Sequence, residues 1–252
     1  DRDPLEVASG WDNVVFRLGD DLALRIPRRS MGADLVEREQ RWLPSLAARV
    51  KQNLAIANPS CIAYDLPFGC PGWVQGMIQG DYIIRSGDAR RVLVIGADVL
   101  SRVSDPHDRD SMLYADGAGA TIVEAVESDE PTGILSHSSR SDSVSYANLL
   151  TLGPSSNPDF EGDELFIKMA GHKLYIYAIT TVPGVVKESI EKAGIGLSEV
   201  KKIFIHQANE KMDEAICQRL MKLYKMKGST KDIMPMTIQE LGNTSAATVP
   251  TM

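Results

Sequence analysis

Cysteine is scarce in this chain, an excess of basic charge is absent, and an apolar run long enough to span a bilayer is missing altogether. Lys and Arg number 27 against 34 Asp and Glu, which leaves a formal net charge of -7 and a pI near 5.2 over 252 residues. Sequence-independent affinity for nucleic acid comes mainly from clustered basic side chains neutralising phosphates, so nucleic acid is not an expected partner. The three cysteines, Cys61, Cys70 and Cys217, are an odd number at irregular spacing. They suit neither a disulfide framework nor a CxxC metal site, and a reducing cytoplasm is the expected compartment. No stretch reaches the roughly 20 apolar residues that cross a membrane, and Asp1-Arg2-Asp3-Pro4 does not begin a signal peptide. The expectation is a soluble protein that is not exported and has no membrane partner.

Lysine is also missing locally. Residues 1–50 hold eight Arg and no Lys, whereas residues 51–252 hold seven Arg and twelve Lys. Isoleucine shifts in the same sense, with Ile26 alone before the seam. This divides the chain into residues 1–50 and 51–252, and a composite origin is the expectation. In the first part Val14–Leu18 and Leu22–Ile26 read as two short strands joined by Gly19-Asp20-Asp21, a hairpin turn, and a helix follows over about Ala33–Leu43.

In the longer part, Cys61–Leu66 reads as a buried strand and Pro71 to about Ser86 as a helix with Trp73, Met77, Ile78 and Ile84 on one side. Pro71 suits a first helical turn, which places Cys70 at the positive end of the helix dipole. That setting lowers a thiol pKa and favours the nucleophilic thiolate. Cys61 and Cys217 have no such setting. Val200–Ile205 reads as a strand ending at His206, and Glu210–Lys225 as a helix. A strand's C-terminal end is where open α/β sheets bind ligands. Asn243 lies in a Gly-Asn turn before small residues. A helix over about Leu165–Lys192 carries Met169, Tyr175, Tyr177 and Val182 as core residues. His107, His137 and His172 have no motif around them and no metal-ligand spacing, so no metal is expected.

Each of the three reactive residues has a plain alternative: Cys70 as a small buried apolar group, His206 as a satisfied histidine, Asn243 as a turn former. The order Cys, His, Asn also occurs in papain-like proteases. The flanking sequence decides between them. Cys70 lies in DLPFGCPGW, His206 in IFIHQANEKM and Asn243 in LGNTSAATVP. With RVLVIGADVLSRVSDPHDRDSMLYADGAGATIVEA, which includes Gly117-Ala118-Gly119 ahead of a strand, these strings resemble the β-ketoacyl-ACP synthase III family over nearly all of residues 51–252.

The resemblance implies a thiolase-like α/β fold of αβαβα layers, truncated at both ends and preceded by a short β-hairpin plus helix. It implies an acyltransferase for decarboxylative Claisen condensation in fatty acid synthesis. Cys70 carries the acyl group of an acyl-CoA primer, and His206 and Asn243 donate hydrogen bonds to malonyl-ACP. Substrate-binding residues by the same resemblance are Arg109, Ala208, Asn209 and Lys211, at the CoA or acyl carrier protein entrance, and Phe68, beside the acyl pocket. No cofactor or metal is implied, and the family assembles as homodimers.

In residues 1–50, GWDNVVFRLGDDLALRIPRR followed by LVEREQRWLP resembles the N-terminal lobe of aminoglycoside-type phosphotransferases. The chain lacks the later catalytic loop and metal-binding Asp that phosphoryl transfer needs. Two other readings stay open: a catalytically silent fragment or fusion of the condensing family, and a nucleotide-binding remnant.

Overall fold

A computed structural model describes residues 48–252 and, in the N-terminal segment, three strands. They fall into two compact units, Asp1–Pro67 with Asp142–Ala147, and Phe68–Ser141 with Asn148–Met252.

The first unit contains an antiparallel sheet of β1 (Leu5–Ser9), β2 (Asn13–Leu18) and β3 (Leu22–Pro27), in the order β1-β2-β3. The β2–β3 pair, with Val14 opposite Ile26 and Phe16 opposite Leu24, is the hairpin expected from the two short strands. Strand β1 was not anticipated. The turn Gly19-Asp20-Asp21 and the helix expected over Ala33–Leu43 lie outside the described residues. The expected buried strand Cys61–Leu66 does not form; the segment is irregular and Ile62 is 84% exposed. Its apolar run supplies strand propensity, but a strand needs a ladder partner for its backbone, and none lies beside it among the described residues.

The second unit is built on the antiparallel pair β4 (Arg91–Val99) and β5 (Asp116–Glu124). Gly117-Ala118-Gly119 lies within β5 rather than ahead of it. Helix α1 (Gly72–Ser86) packs on one face of this pair, over Val92 and Val94. It ends as helices commonly do, at a left-handed glycine, Gly87, whose N–H bonds the Ile84 carbonyl. The segment that follows Asn243 lies on the same face. A Cβ at Gly96 would stand 2.4 Å from the Ala246 carbonyl oxygen, so only glycine lets backbone approach backbone there.

Strands β6 (Leu150–Gly153) and β7 (Phe166–Met169) form a second antiparallel pair. The long helix therefore begins later than expected: α2 spans Gly171–Lys192, and Met169 belongs to β7. Helix α3 (Glu210–Leu223) buries residues 213, 216, 217, 220 and 221, the stripe that a 3.6-residue period presents to a core. Leu197, Cys217, Leu220, Met221 and Met234 form that core, with Val200, Ile203 and Ile205 packed against it. The expected strand Val200–Ile205 is present as an unpaired segment, not a strand. Its described ladder-like bond runs from Ile203 N–H to the Ile233 carbonyl, at 2.7 Å, so burial rather than pairing holds it. No helix among the described residues is long and apolar enough to cross a membrane.

Candidate active site

Cys70 stands immediately before α1, with Pro71 at the cap position and a tight turn closed by Gly72 N–H on the Gly69 carbonyl. The thiol is thus at the helix N-terminus, as the sequence indicated. His206 comes from the loop ahead of α3, which is pinned by Gln207. That side chain is fully buried, donates from Nε2 to the Pro235 carbonyl at 2.9 Å, and accepts from Thr237 N–H at 2.8 Å. Asn209 closes the loop as the N-cap of α3, its Oδ1 accepting from the N–H groups of Lys211 and Met212.

Asn243 arrives from the other side. Its N–H donates to the Leu113 carbonyl at 2.8 Å and its carbonyl accepts from Ala115 N–H at 2.9 Å, a parallel bridge to the residues just before β5. Gly242 makes this possible: its φ is 67°, and a Cβ there would lie 2.9 Å from that of Ala115. The Asn243 Oδ1 accepts from Ser245 N–H at 3.0 Å, which fixes the amide plane with Nδ2 directed the other way as a donor.

Ser245 is the residue at which the three elements meet, and sequence reasoning did not single it out. It is buried and holds a left-handed backbone, φ 51°, unusual for a side chain with a Cβ. Its hydroxyl donates to the Cys70 sulfur at 3.6 Å, its N–H binds Asn243, and its backbone favours the charged form of the His206 imidazole. His206 acts electrostatically on Cys70, and its Nδ1 lies 3.3 Å from the Thr248 hydroxyl, which in turn accepts from Thr244.

The electrostatics follow from these contacts. Burial pushes the Cys70 thiol up, but the hydrogen bond and charge of His206, the Ser245 hydroxyl and the thiol's own backbone N–H outweigh it, leaving the pKa below the ordinary value. Burial pushes the His206 imidazole down; Cys70, the charge of Asp213 and the Ser245 carbonyl outweigh that and leave it raised. A thiol lowered and an imidazole raised, each by the other, favour a thiolate–imidazolium pair. Cys217, by contrast, is buried in the apolar core and its thiol is pushed up.

The structure brings Cys70, His206 and Asn243 together through Ser245. The other expected residues take no part in these hydrogen bonds. Phe68 is 52% exposed, two residues before Cys70. Arg109 and Lys211 are exposed, and neither makes an ion pair among the described residues. Ala208 is half-buried, and the side chain of Asn209 is committed to capping α3. Arg109 opens a 3-10 turn, Arg109–Leu113, whose approach is anchored by Asp105: Lys168 Nζ donates to its carboxylate at 2.5 Å and Ser156 N–H at 2.6 Å. Among the described residues no group of three or more His, Cys, Asp or Glu is placed to hold a metal ion.

Comparison with known proteins matches these motifs. The family model for 3-oxoacyl-[acyl-carrier-protein (ACP)] synthase III matches residues 64–143, and the model for its C-terminal part matches residues 190–252, together more than half of the chain. Beta-ketoacyl-[acyl-carrier-protein] synthase III of Serratia proteamaculans is 36% identical over 208 residues, which is 82% of this chain and 61% of that protein. The Vibrio vulnificus protein named beta-ketoacyl-[acyl-carrier-protein] synthase III 1 is 37% identical over 210 residues, 82% of this chain and 61% of that protein. Among solved structures, 3-oxoacyl-(acyl carrier protein) synthase III from Pseudomonas aeruginosa PAO1 superposes with a TM-score of 0.69 at 27% identity, covering 81% of this chain and 60% of that one. The synthase III from Aquifex aeolicus VF5 gives 0.65 at 31% identity, covering 81% and 60%. The chain spans about three-fifths of the length of the relatives it matches. By its matched segments, and with the thiolase-like α/β fold that these likenesses carry, the chain belongs to the 3-oxoacyl-[acyl-carrier-protein] synthase III family.

Proposed function

We propose that this chain is an acyltransferase of fatty acid synthesis acting through a thioester on Cys70. The observation that carries the reading is the thiol at the N-terminus of α1, its sulfur accepting from the Ser245 hydroxyl and its ionised form favoured by His206. The Cys70 thiolate attacks the carbonyl of an acyl-CoA primer, and the CoA thiolate leaves and takes up a proton. Malonyl-ACP then binds with its thioester oxygen toward His206 and Asn243. The malonyl carboxylate departs as carbon dioxide, and its electron pair becomes an enolate that those two donors stabilise. Removal of one such donor typically lowers the rate by about 10²–10³. The enolate carbon attacks the Cys70 thioester, a carbon–carbon bond forms, the carbon–sulfur bond breaks, and β-ketoacyl-ACP leaves with the thiolate restored. No step calls for a metal or redox cofactor.

The exposed cationic heads of Arg109 and Lys211, which make no ion pair among the described residues, support their assignment to the phosphates of CoA or of the carrier protein's arm, with Ala208 and Asn209 along the same entrance and Phe68 beside the acyl pocket. Acyl-CoA and acyl carrier protein are the partners in this reading, a homodimer its assembly and the cytoplasm its compartment. The test is formation of β-ketoacyl-ACP from acetyl-CoA and malonyl-ACP, followed by mass spectrometry. Product that is lost in Cys70→Ala supports the reading. Absence of product from folded protein contradicts it.

One observation favours a second reading, a silent member of the family. The face of the β4–β5 pair opposite α1 exposes Leu93, Ile95, Val99 and Ile122, an apolar surface that costs stability in water. That form keeps the Cys70 acylation site without completing condensation. For residues 1–50 the proposal is a phosphotransferase-like N-lobe segment joined to residues 51–252. The lysine-free composition and the β2–β3 hairpin support it, and a nucleotide-binding titration tests it.

A further inference from the structure

Of the five positions that α3 buries, four carry Ile216, Cys217, Leu220 and Met221, and the fifth carries Asp213. Asp213 is 0% exposed, and neither of its carboxylate oxygens has a hydrogen-bond partner among the described residues. A polar group so placed is costly, and native proteins retain few of them. The cluster around this turn of α3 joins Met212, Ala215 and Ile216 to Ala178 and Ile179 of α2, all apolar. Tyr175 of α2 packs against the same cluster.

Two charged groups act on Asp213. Glu210, one turn back on α3, bears a carboxylate that accepts from Gln239 Nε2 at 3.1 Å. His206, in the loop that leads into the helix, lies within electrostatic reach of Asp213, and each alters the other's titration. Burial lifts the Asp213 carboxyl to about 7, opposed by His206 and reinforced by Glu210. The acid therefore titrates in the range of an imidazole.

We propose that Asp213 is a positioning residue for His206, its buried carboxylate holding the imidazole in the cationic form that faces the Cys70 thiolate. The proposal rests on the reading of Cys70 and His206 as the reactive pair. Ionised Asp213 favours the imidazolium and, through it, the thiolate. Protonated Asp213 withdraws that support, so the pair is coupled to pH by a third buried group that touches neither substrate.

The test is a titration of the histidine ring protons by NMR in the full chain, with His206 identified among the four histidines by its loss in His206→Ala. In both Asp213→Asn and Asp213→Leu the His206 pKa falls by about half a unit to one unit, less than the 1–3 units of a direct ion pair. His107, His137 and His172 keep their values. The acid limb of Cys70 alkylation by iodoacetamide moves up in pH in step. Asp213→Leu suits the apolar stripe and keeps the test available if the amide variant misfolds. A His206 titration unchanged in a folded variant overturns the proposal. Failure of Cys70 to alkylate in the parent protein contradicts the functional reading, while the His206 titration still decides the role of Asp213.

Discussion

Replacing Ser245 by Ala removes one oxygen from the hub of the site and keeps its Cβ, so it isolates the hydroxyl's action on Cys70. In the structure that hydroxyl donates to the sulfur at 3.6 Å, long for oxygen but within range for sulfur. Hydrogen bonds to charged groups contribute about 1.5–3 kcal/mol, and the length of this one places it near the lower end. At about 1.4 kcal/mol per pKa unit, its loss raises the Cys70 pKa by about one unit. The assay is the rate of iodoacetamide labelling of Cys70 across pH, read by intact mass. At a pH below the parent's midpoint the variant reacts about tenfold more slowly, and the two rates converge once both thiols are ionised. Ser245→Gly serves as the control for the backbone. It loses the same hydroxyl but relieves the left-handed φ of 51°, worth about 1 kcal/mol, so it melts higher than Ser245→Ala with the same shifted profile. An unshifted profile in folded Ser245→Ala refutes the assigned donor.

Further outcomes follow from the same contacts. His206→Ala removes the main lowering influence on the thiol, so the labelling profile moves upward by more than in Ser245→Ala. Gly242→Ala forces a Cβ into the left-handed region and against Ala115, which lowers stability by about 1–2 kcal/mol in a denaturant titration and reduces labelling of Cys70 as Asn243 shifts. Lys168→Ala strands the buried Asp105 carboxylate and lowers the melting temperature more than Arg91→Ala, which breaks an exposed pair. Asp105 and Asp108 are held below the usual carboxylate range, so they contribute stability above about pH 4 that is lost as pH falls through their folded values. Lys168 is held above its ordinary value, so its contribution is present through neutral pH and lost in strong alkali. A denaturation series from pH 2 to 6 in the parent and in Lys168→Ala checks the acid limb, which is shallower in the variant.

Helices and the convergence of Cys70, His206 and Asn243 were the legible part of this chain. The first turn after Pro71 and the stripe of α3 follow from spacing alone, because a helix satisfies its own backbone. Strands do not. Val200–Ile205 and Cys61–Leu66 have strand composition, yet neither pairs, because a ladder depends on a neighbour that local sequence does not specify. The β6–β7 pair shows the reverse: Phe166–Met169 reads as the start of a long helix until its partner, Leu150–Gly153, takes it. In the candidate site, the meeting of Cys70, His206 and Asn243 was to be expected from their flanking motifs. Ser245 was not, because its importance lies in a left-handed backbone that serine seldom adopts. Asp213 sits in the first turn of a helix, where an acid ordinarily complements the dipole at the surface; only its burial marks it.

In the proposed reaction everything depends on Cys70 carrying the acyl group. Intact-protein mass spectrometry after incubation with acetyl-CoA tests it most directly, with Cys70→Ala alongside. A mass increase of one acyl group is expected in the parent chain and none in the variant. A folded parent chain that acquires no label, or a label that persists in Cys70→Ala, contradicts it.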